Sequence, residues 1–221
     1  MANARELLMK IRAELRPLEE KILRHHYLAA LETGRLPPEK LRIFAGQQYQ
    51  IIASDLRSIA LLLSRYGNLP RRPYLLGVLE GESAALEALW KFARALGMSD
   101  EEICTAEPIP AALAYSAFVA WLALYGSDAE LASALGVNFA AWGANCGRMS
   151  AALKAHYGVE PDAVAFFDLF ANLPPADETA LAVIQGGLDR GITPALITRA
   201  ARLLQGYELM YWDSIVEAAG L

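Results

Sequence analysis

Apolar residues recur along this chain at intervals of three and four, the repeat that gathers them on one face of an α-helix. Leu8, Ile11, Leu15, Leu18, Ile22 and Leu23 form the first such stripe, which continues through Tyr27 and Leu31 and stops at Gly34. Pro17 falls inside it and predicts a division or a bend. A second helix opens at Pro37-Pro38, where proline suits the first turn, carries Leu41, Phe44, Gln48, Ile52, Leu56, Ile59 and Leu63 on one face, and ends at Gly67. A third runs from Arg72 to Leu96, before Gly97. Ser99 and Glu102 have the spacing of a capping box and start a short helix. The loop from Glu107 to Pro110 leads into an uncharged helix that ends at Gly126. Ser127 and Glu130 repeat the capping spacing and open a helix that is interrupted or bent near Gly136 and reaches Tyr157-Gly158. Pro161 starts the next segment, which stops before Pro174-Pro175. Thr179 to Arg190 is helical, and Thr193 caps a final helix with Pro194 in its first turn.

No segment alternates apolar and polar residues as a strand would. The expected fold is therefore all-α, one domain over residues 1–221, with eight or nine helices in a bundle. Ligand sites in such bundles lie in the core, between facing helices.

Composition narrows the partners. The hydrophobic share is 55% and the mean hydropathy +0.24, an excess owed largely to alanine, which favours helices and lets them pack closely. A net charge of −5 offers nothing to a phosphate backbone, which argues against nucleic acid as a partner. The uncharged stretch from Ile109 to Ser127 lacks Lys and Arg at its ends and includes Tyr115, Ser116 and Tyr125. It reads as a central bundle helix buried on all sides rather than a membrane span. Cys104 and Cys146 are the only cysteines, with no CxxC pair, so a reducing compartment is expected. Met1 to Glu6 leads straight into a charged helix without the pattern of a signal segment, consistent with the cytoplasm.

Three histidines, His25, His26 and His156, limit metal chemistry. There is no E-x-x-H, H-E-x-x-H, phosphate-binding loop, dinucleotide glycine run or G-x-S-x-G. His25 and His26 are adjacent, so on a helix they point about 100° apart and do not share one ion. One packed and one solvated histidine is the expectation, and no metal or cofactor is implied.

Four segments resemble the TenA and PqqC families in order. His25-His26-Tyr27, Leu31 to Leu36 and Phe44 to Tyr49 are similar to the TenA run "hPF…G.L…Y..QD..Y". Leu86 to Trp90 and Leu96 to Ser99 resemble the family's next helix and turn. Ala114 to Phe118 with Gly126 to Ala132 resembles "aY..fl…gs..ella", and Gly206 to Asp213 resembles the closing "yE..FWd". The resemblance implies a haem-oxygenase-like bundle and a homo-oligomer, a dimer or tetramer.

TenA proteins are thiaminase-II-type hydrolases in which a cysteine attacks an aminopyrimidine carbon with help from a glutamate on the last helix. By this resemblance Glu208 stands at that glutamate and Tyr115 at a pocket tyrosine. Asn138 stands where the cysteine belongs and Trp142 where a tyrosine belongs. Gln48 replaces the aspartate that grips the pyrimidine amino group, and Phe170 replaces a further tyrosine. An amide is no nucleophile at neutral pH, so Asn138 cannot form the covalent intermediate. The implied pocket is more apolar and more aromatic than the family's usual one. Glu208 is the candidate acid/base, with Gln48, Tyr49, Tyr115, Asn138, Trp142 and Phe170 as candidate binding residues; Tyr49 and Tyr115 could equally be core residues.

Two other relatives fit less well. Tyr49-Gln50, Asp55 and Arg57 faintly resemble PqqC, a cofactorless oxidase, whose pocket is rich in His and Arg. Leu79-Glu80-Gly81-Glu82 resembles a glutamate-bearing helix of haem-oxygenase-like di-iron oxidases, but Phe170 stands where the first histidine of their later run belongs. Glu80 and Glu82 are two apart and cannot both face the core. Cys146, eight residues after Asn138, is either a displaced nucleophile or a small buried hydrophobe. The functions in play are a TenA-like hydrolase or salvage factor for a small aromatic heterocycle such as the thiamin pyrimidine, a non-catalytic binding or regulatory protein, and a PqqC-like oxidase.

Overall fold

The computed structural model describes residues 3–68, 70–173 and 178–221. Among these are α1 (Ala4–Leu23), α2 (His26–Glu32), a single 3-10 turn (Pro38–Lys40), α3 (Leu41–Tyr66), α4 (Arg72–Ala95) and α5 (Asp100–Cys104). They are followed by α6 (Pro110–Tyr125), α7 (Asp128–His156), α8 (Ala165–Ala171), α9 (Glu178–Asp189) and α10 (Pro194–Ala219). The described residues contain no strand. The all-α reading therefore holds, with ten helices rather than eight or nine.

The added helix comes from the first stripe. Pro17 sits on the exposed side of α1 and the helix runs through it unbroken. The chain breaks instead at His25, which takes an extended conformation and caps α2, its ring accepting the Tyr27 amide at 3.4 Å. Gly136 does not interrupt α7 either, and its carbonyl accepts a hydrogen bond from Arg12 at 3.0 Å. After Pro161 the chain makes turns before α8 begins at Ala165. The stop expected at Pro174-Pro175 lies outside the described residues.

The capping signals are realised unequally. Ser99 and Glu102 form the reciprocal box, with bonds of 3.1 and 2.7 Å. At Ser127 only half of it forms, because Glu130 accepts the Ser127 hydroxyl at 2.9 Å. Asn3 and Thr193 cap α1 and α10, and Gly220 ends α10 in the left-handed region that favours glycine.

Helix α10 packs against α7, α6 and α1; α3 packs against α4 and α6; α7 carries α8 and α9 on its flank. Two apolar clusters result. One is aromatic, built on Phe44, Phe92, Trp142, Phe166, Phe167 and Trp212. The other is aliphatic, built on Leu62, Leu75, Leu122, Leu131, Ile184 and Leu204. Tyr115 and Phe139 touch both, so the seam between the clusters runs through the middle of the bundle.

Helix α6 departs from the sequence expectation. Ala112, Ser116, Val119 and Leu122 are buried, but Trp121, Leu124 and Tyr125 are exposed, Tyr125 by 74%. An uncharged helix looks central by hydropathy, yet here one apolar face lies on the surface. No helix among the described residues is long and apolar enough to cross a membrane.

Close backbone approach positions α8. A Cβ on Gly143 of α7 would stand 2.7 Å from the Phe170 carbonyl oxygen, and that atom cannot swing aside. Gly143→Ala is expected to lower stability by about 1–3 kcal/mol, as overpacking does. Gly206→Ala, with nothing within 4 Å of the new methyl, should raise it by up to about 1 kcal/mol. Denaturant titrations of the two variants check both signs.

Candidate functional site

The seam holds a cavity of about 40 Å³ lined by α3, α4, α6, α7, α8 and α10. From α3 come Gln48, Ile51, Ile52 and Asp55, which share one face because they are three, four and seven residues apart. Glu82 comes from α4, Tyr115 from α6, Asn138, Phe139 and Trp142 from α7, Phe170 from α8, and Glu208 and Tyr211 from α10.

A chain of hydrogen bonds crosses the cavity wall. The Tyr115 hydroxyl donates to Asn138 Oδ1 at 2.9 Å. Asn138 Nδ2 donates to Glu208 Oε2 at 2.5 Å, with a longer contact of 3.4 Å to Gln205 Oε1. Trp212 Nε1 donates to Glu208 Oε1 at 3.1 Å from one turn along the same helix. Both carboxyl oxygens of Glu208 are thus engaged while the group stays only 2% exposed. Burial pushes its pKa up to about 8; the bonds from Trp212 and Asn138 pull the other way, and the charge of Glu19 adds to the rise. At neutral pH this carboxyl keeps its proton and can donate it to a bound molecule.

Two further carboxyls share the space. Asp55 is 4% and Glu82 8% exposed, and no Lys, Arg or His lines the cavity. Burial lifts Asp55 well above the usual carboxylate range, with the charge of Glu82 adding to it, and burial lifts Glu82 to about 7. Burial, then the charges of Asp55, Glu208 and Glu82, hold the Tyr115 hydroxyl protonated. Among the described residues no group of three His, Cys, Asp or Glu is arranged to hold a metal ion.

Gln48, Tyr115, Asn138, Trp142, Phe170 and Glu208, singled out from the sequence, are brought together here. Tyr49 is not. It lies about 100° round the helix from Gln48, packs edge-on to Trp90 at 5.6 Å and accepts a hydrogen bond from Cys104 at 3.3 Å. Gln47 pins α3 to the proline loop through the Glu107 carbonyl at 2.9 Å and the Ile109 amide at 2.8 Å. Cys146 is fully buried outside the lining, and burial with the nearby Glu208 charge holds its thiol protonated, so it is packed rather than poised. Glu80 is exposed and Glu82 faces inward. His25 is buried against Asp213 at 3.0 Å and His26 is exposed. Ile51 and Tyr211 were not among the candidates; Asp55 entered only through the PqqC resemblance, and Glu82 only as one of two acids that cannot both face the core. The signal for the two acids was available: each lies on the apolar stripe of its helix, Asp55 seven residues after Gln48 and Glu82 midway between Leu75 and Leu89.

The sequence pattern of the TENA/THI-4/PQQC family matches residues 12–166. The chain belongs to that family. None of the curated proteins matches it. Among solved structures, a TenA homologue from P. horikoshii OT3 is similar with a TM-score of 0.73 at 19% identity, covering 96% of this chain and 98% of that one. A domain of unknown function with a haem-oxygenase-like fold from Shewanella denitrificans gives 0.77 at 13% identity, with 97% and 94% covered. A putative TenA-like thiaminase from Sulfolobus solfataricus gives 0.67 at 18%, with 99% and 98% covered. These likenesses establish the haem-oxygenase-like fold. The family match ends before α10, so the place of Glu208 rests on the geometry of the cavity.

The raised carboxyls make a pH prediction. The fold favours their protonated forms, so folding takes up protons between the ordinary carboxyl range and about 8 for Glu208. Their contribution to stability is full below the unfolded pKa and is lost as pH rises through about 7 for Glu82 and about 8 for Glu208. Glu208→Gln should flatten that decline, raising the midpoint at pH 8 relative to wild type by roughly 5 °C or more while changing it little at pH 5. Thermal melts across pH decide it; parallel declines in the two proteins would contradict the buried, protonated assignment.

Proposed function

We propose that this TenA-family protein binds a small, flat heterocycle of the thiamin-pyrimidine class in its central cavity and acts on it through Glu208 rather than through a thiol. The observation that carries the reading is the hydrogen bond from Asn138 to Glu208. The residue at the implied nucleophile position grips the implied acid, and aromatic side chains enclose both. Glu208 is placed to protonate a ring nitrogen or leaving group, Tyr115 and Asn138 fix its orientation, and Trp142, Phe139 and Phe170 supply faces for a ring. A lining without His, Arg or Lys fits a neutral or basic ligand and argues against an acidic polycyclic one.

A second reading is a non-catalytic binder. Its support is again Asn138, together with the packed thiol of Cys146, which leave no activated nucleophile in the cavity. Two free cysteines support a reducing compartment such as the cytoplasm as the proposed location. The exposed apolar side chains of α6, with Leu61 of α3, are the proposed contact between copies in a homo-oligomer.

A thermal-shift series with thiamin and its aminopyrimidine fragment tests the ligand class. Ligand at one hundred times its Kd should add about 2.7 kcal/mol to stability, roughly 5–10 °C for a chain of this size. Absence of any shift with folded protein would sink the pyrimidine reading. Where turnover is seen, Glu208→Gln should cut it by about 10²–10⁴-fold; binding without turnover in wild type selects the second reading.

A further inference from the structure

Asp55 and Glu82 take no part in the hydrogen-bond chain around Glu208, yet burying two carboxyls side by side is costly unless something compensates them. They reach the cavity from helices α3 and α4, which pack directly on each other. Both are more than nine-tenths buried. Asp55 Oδ1 has no hydrogen-bond partner among the described residues, and no side-chain cation lines the cavity to neutralise the pair. Nothing in the wall explains why two acids stand on otherwise apolar helix faces.

The surroundings give the missing partner its shape. Glu82, Phe139 and Phe170 also line an adjoining pocket of about 230 Å³ with Tyr74, Val78 and Leu169. The inner cavity of about 40 Å³ has room for only a few water-sized groups, at roughly 10–15 Å³ each. A ligand reaching Glu208 from the apolar outer pocket would pass Glu82 and bring its polar end between the two carboxyls. With no third metal-ligating residue in place, the complement to the pair is an organic cation or N–H donor.

We propose that Asp55 and Glu82 are a recognition pair for an amino or amidine-like nitrogen of the ligand, together doing from α3 and α4 what the neutral Gln48 cannot. The amino group donates one N–H to an oxygen of each acid, and, with one proton kept by the pair, a protonated ring nitrogen beside it neutralises the single negative charge that remains. The ligand class becomes an amino-substituted, basic heterocycle; an oxo-substituted ring of the same shape binds more weakly, because it brings neither an exocyclic N–H for the pair nor a positive charge to offset the negative one that the pair carries when it gives up a proton. The proposal rests on the pocket reading above.

Calorimetric titration with two probes tests it: the aminopyrimidine fragment of thiamin and its oxo analogue, in which a carbonyl replaces the amino group. Wild type should bind the amino form at least about tenfold more tightly, the scale of one charge-assisted hydrogen bond. Asp55→Asn and Glu82→Gln are near-isosteric and replace a buried ionisable group with a neutral amide, so each should fold, with the unfolding midpoint as control. Each should bring the ratio of the two affinities toward one. If both folded variants keep the wild-type ratio, the amino group is read elsewhere and the proposal is overturned while the pocket reading stands. If wild type binds the two probes equally, the pair does not recognise the amino group and the proposal also fails. If wild type binds neither probe, the pocket reading falls and takes this inference with it.

Discussion

Three carboxyl groups, those of Asp55, Glu82 and Glu208, are buried around one cavity that no basic side chain enters. Most of what distinguishes this protein follows from that constraint. A buried carboxyl without a cation either keeps its proton or has donors aimed at it. Glu208 has donors, one from Trp212 on its own helix and one from Asn138 on the facing helix. Asp55 Oδ1 has no hydrogen-bond partner among the described residues, and the neighbouring charge of Glu82 raises the Asp55 carboxyl further. The first arrangement is a finished one and resembles an acid held ready. The second is unfinished and is completed by whatever the cavity accepts.

The scaffold serves the same constraint. The long helices α7 and α10 cross the bundle beside each other, so the bond from Asn138 to Glu208 lies inside the packed interior rather than at a frayed end. The aromatic cluster beneath it fixes the side chains in one arrangement: Trp142 lies parallel to Phe44 at 6.2 Å and tilts against Trp212 at 5.6 Å. Gly143 lets the backbone of α8 come close enough for Phe170 to close the side of the cavity. Asn138, at the place that the resemblance implies for a cysteine, is positioned to do more than leave a nucleophile out. The amide joins two polar residues, Tyr115 and Glu208, into one network, which a thiol with a single weak donor could not do.

Much of this was legible in the sequence, for identifiable reasons. Helix stripes and capping residues depend on short-range spacing, and spacing survives divergence; Glu208 was implied instead by the resemblance of Gly206 to Asp213 to the TenA closing run. The misplaced features depend on what lies across a helix. Tyr49 carries the right chemistry for a pocket but sits one residue, about 100°, away from Gln48. The break at His25 is fixed by a backbone turn and a ring-to-amide bond, which hydropathy does not report. The open face of α6 has the same composition as a buried one. Asp55 and Glu82 were readable as charges on apolar stripes, but only the fold shows that the stripes of α3 and α4 meet at those two residues.

The most direct measurement is a carbon-13 NMR titration of the Asp and Glu carboxyls in the ligand-free protein, with Asp55→Asn, Glu82→Gln and Glu208→Gln used for assignment. The account predicts carboxyls that titrate above about pH 6, well outside the ordinary range for Asp and Glu, with one such signal removed by each substitution. A spectrum in which every carboxyl titrates in the ordinary range, with these three assigned among them, would contradict it.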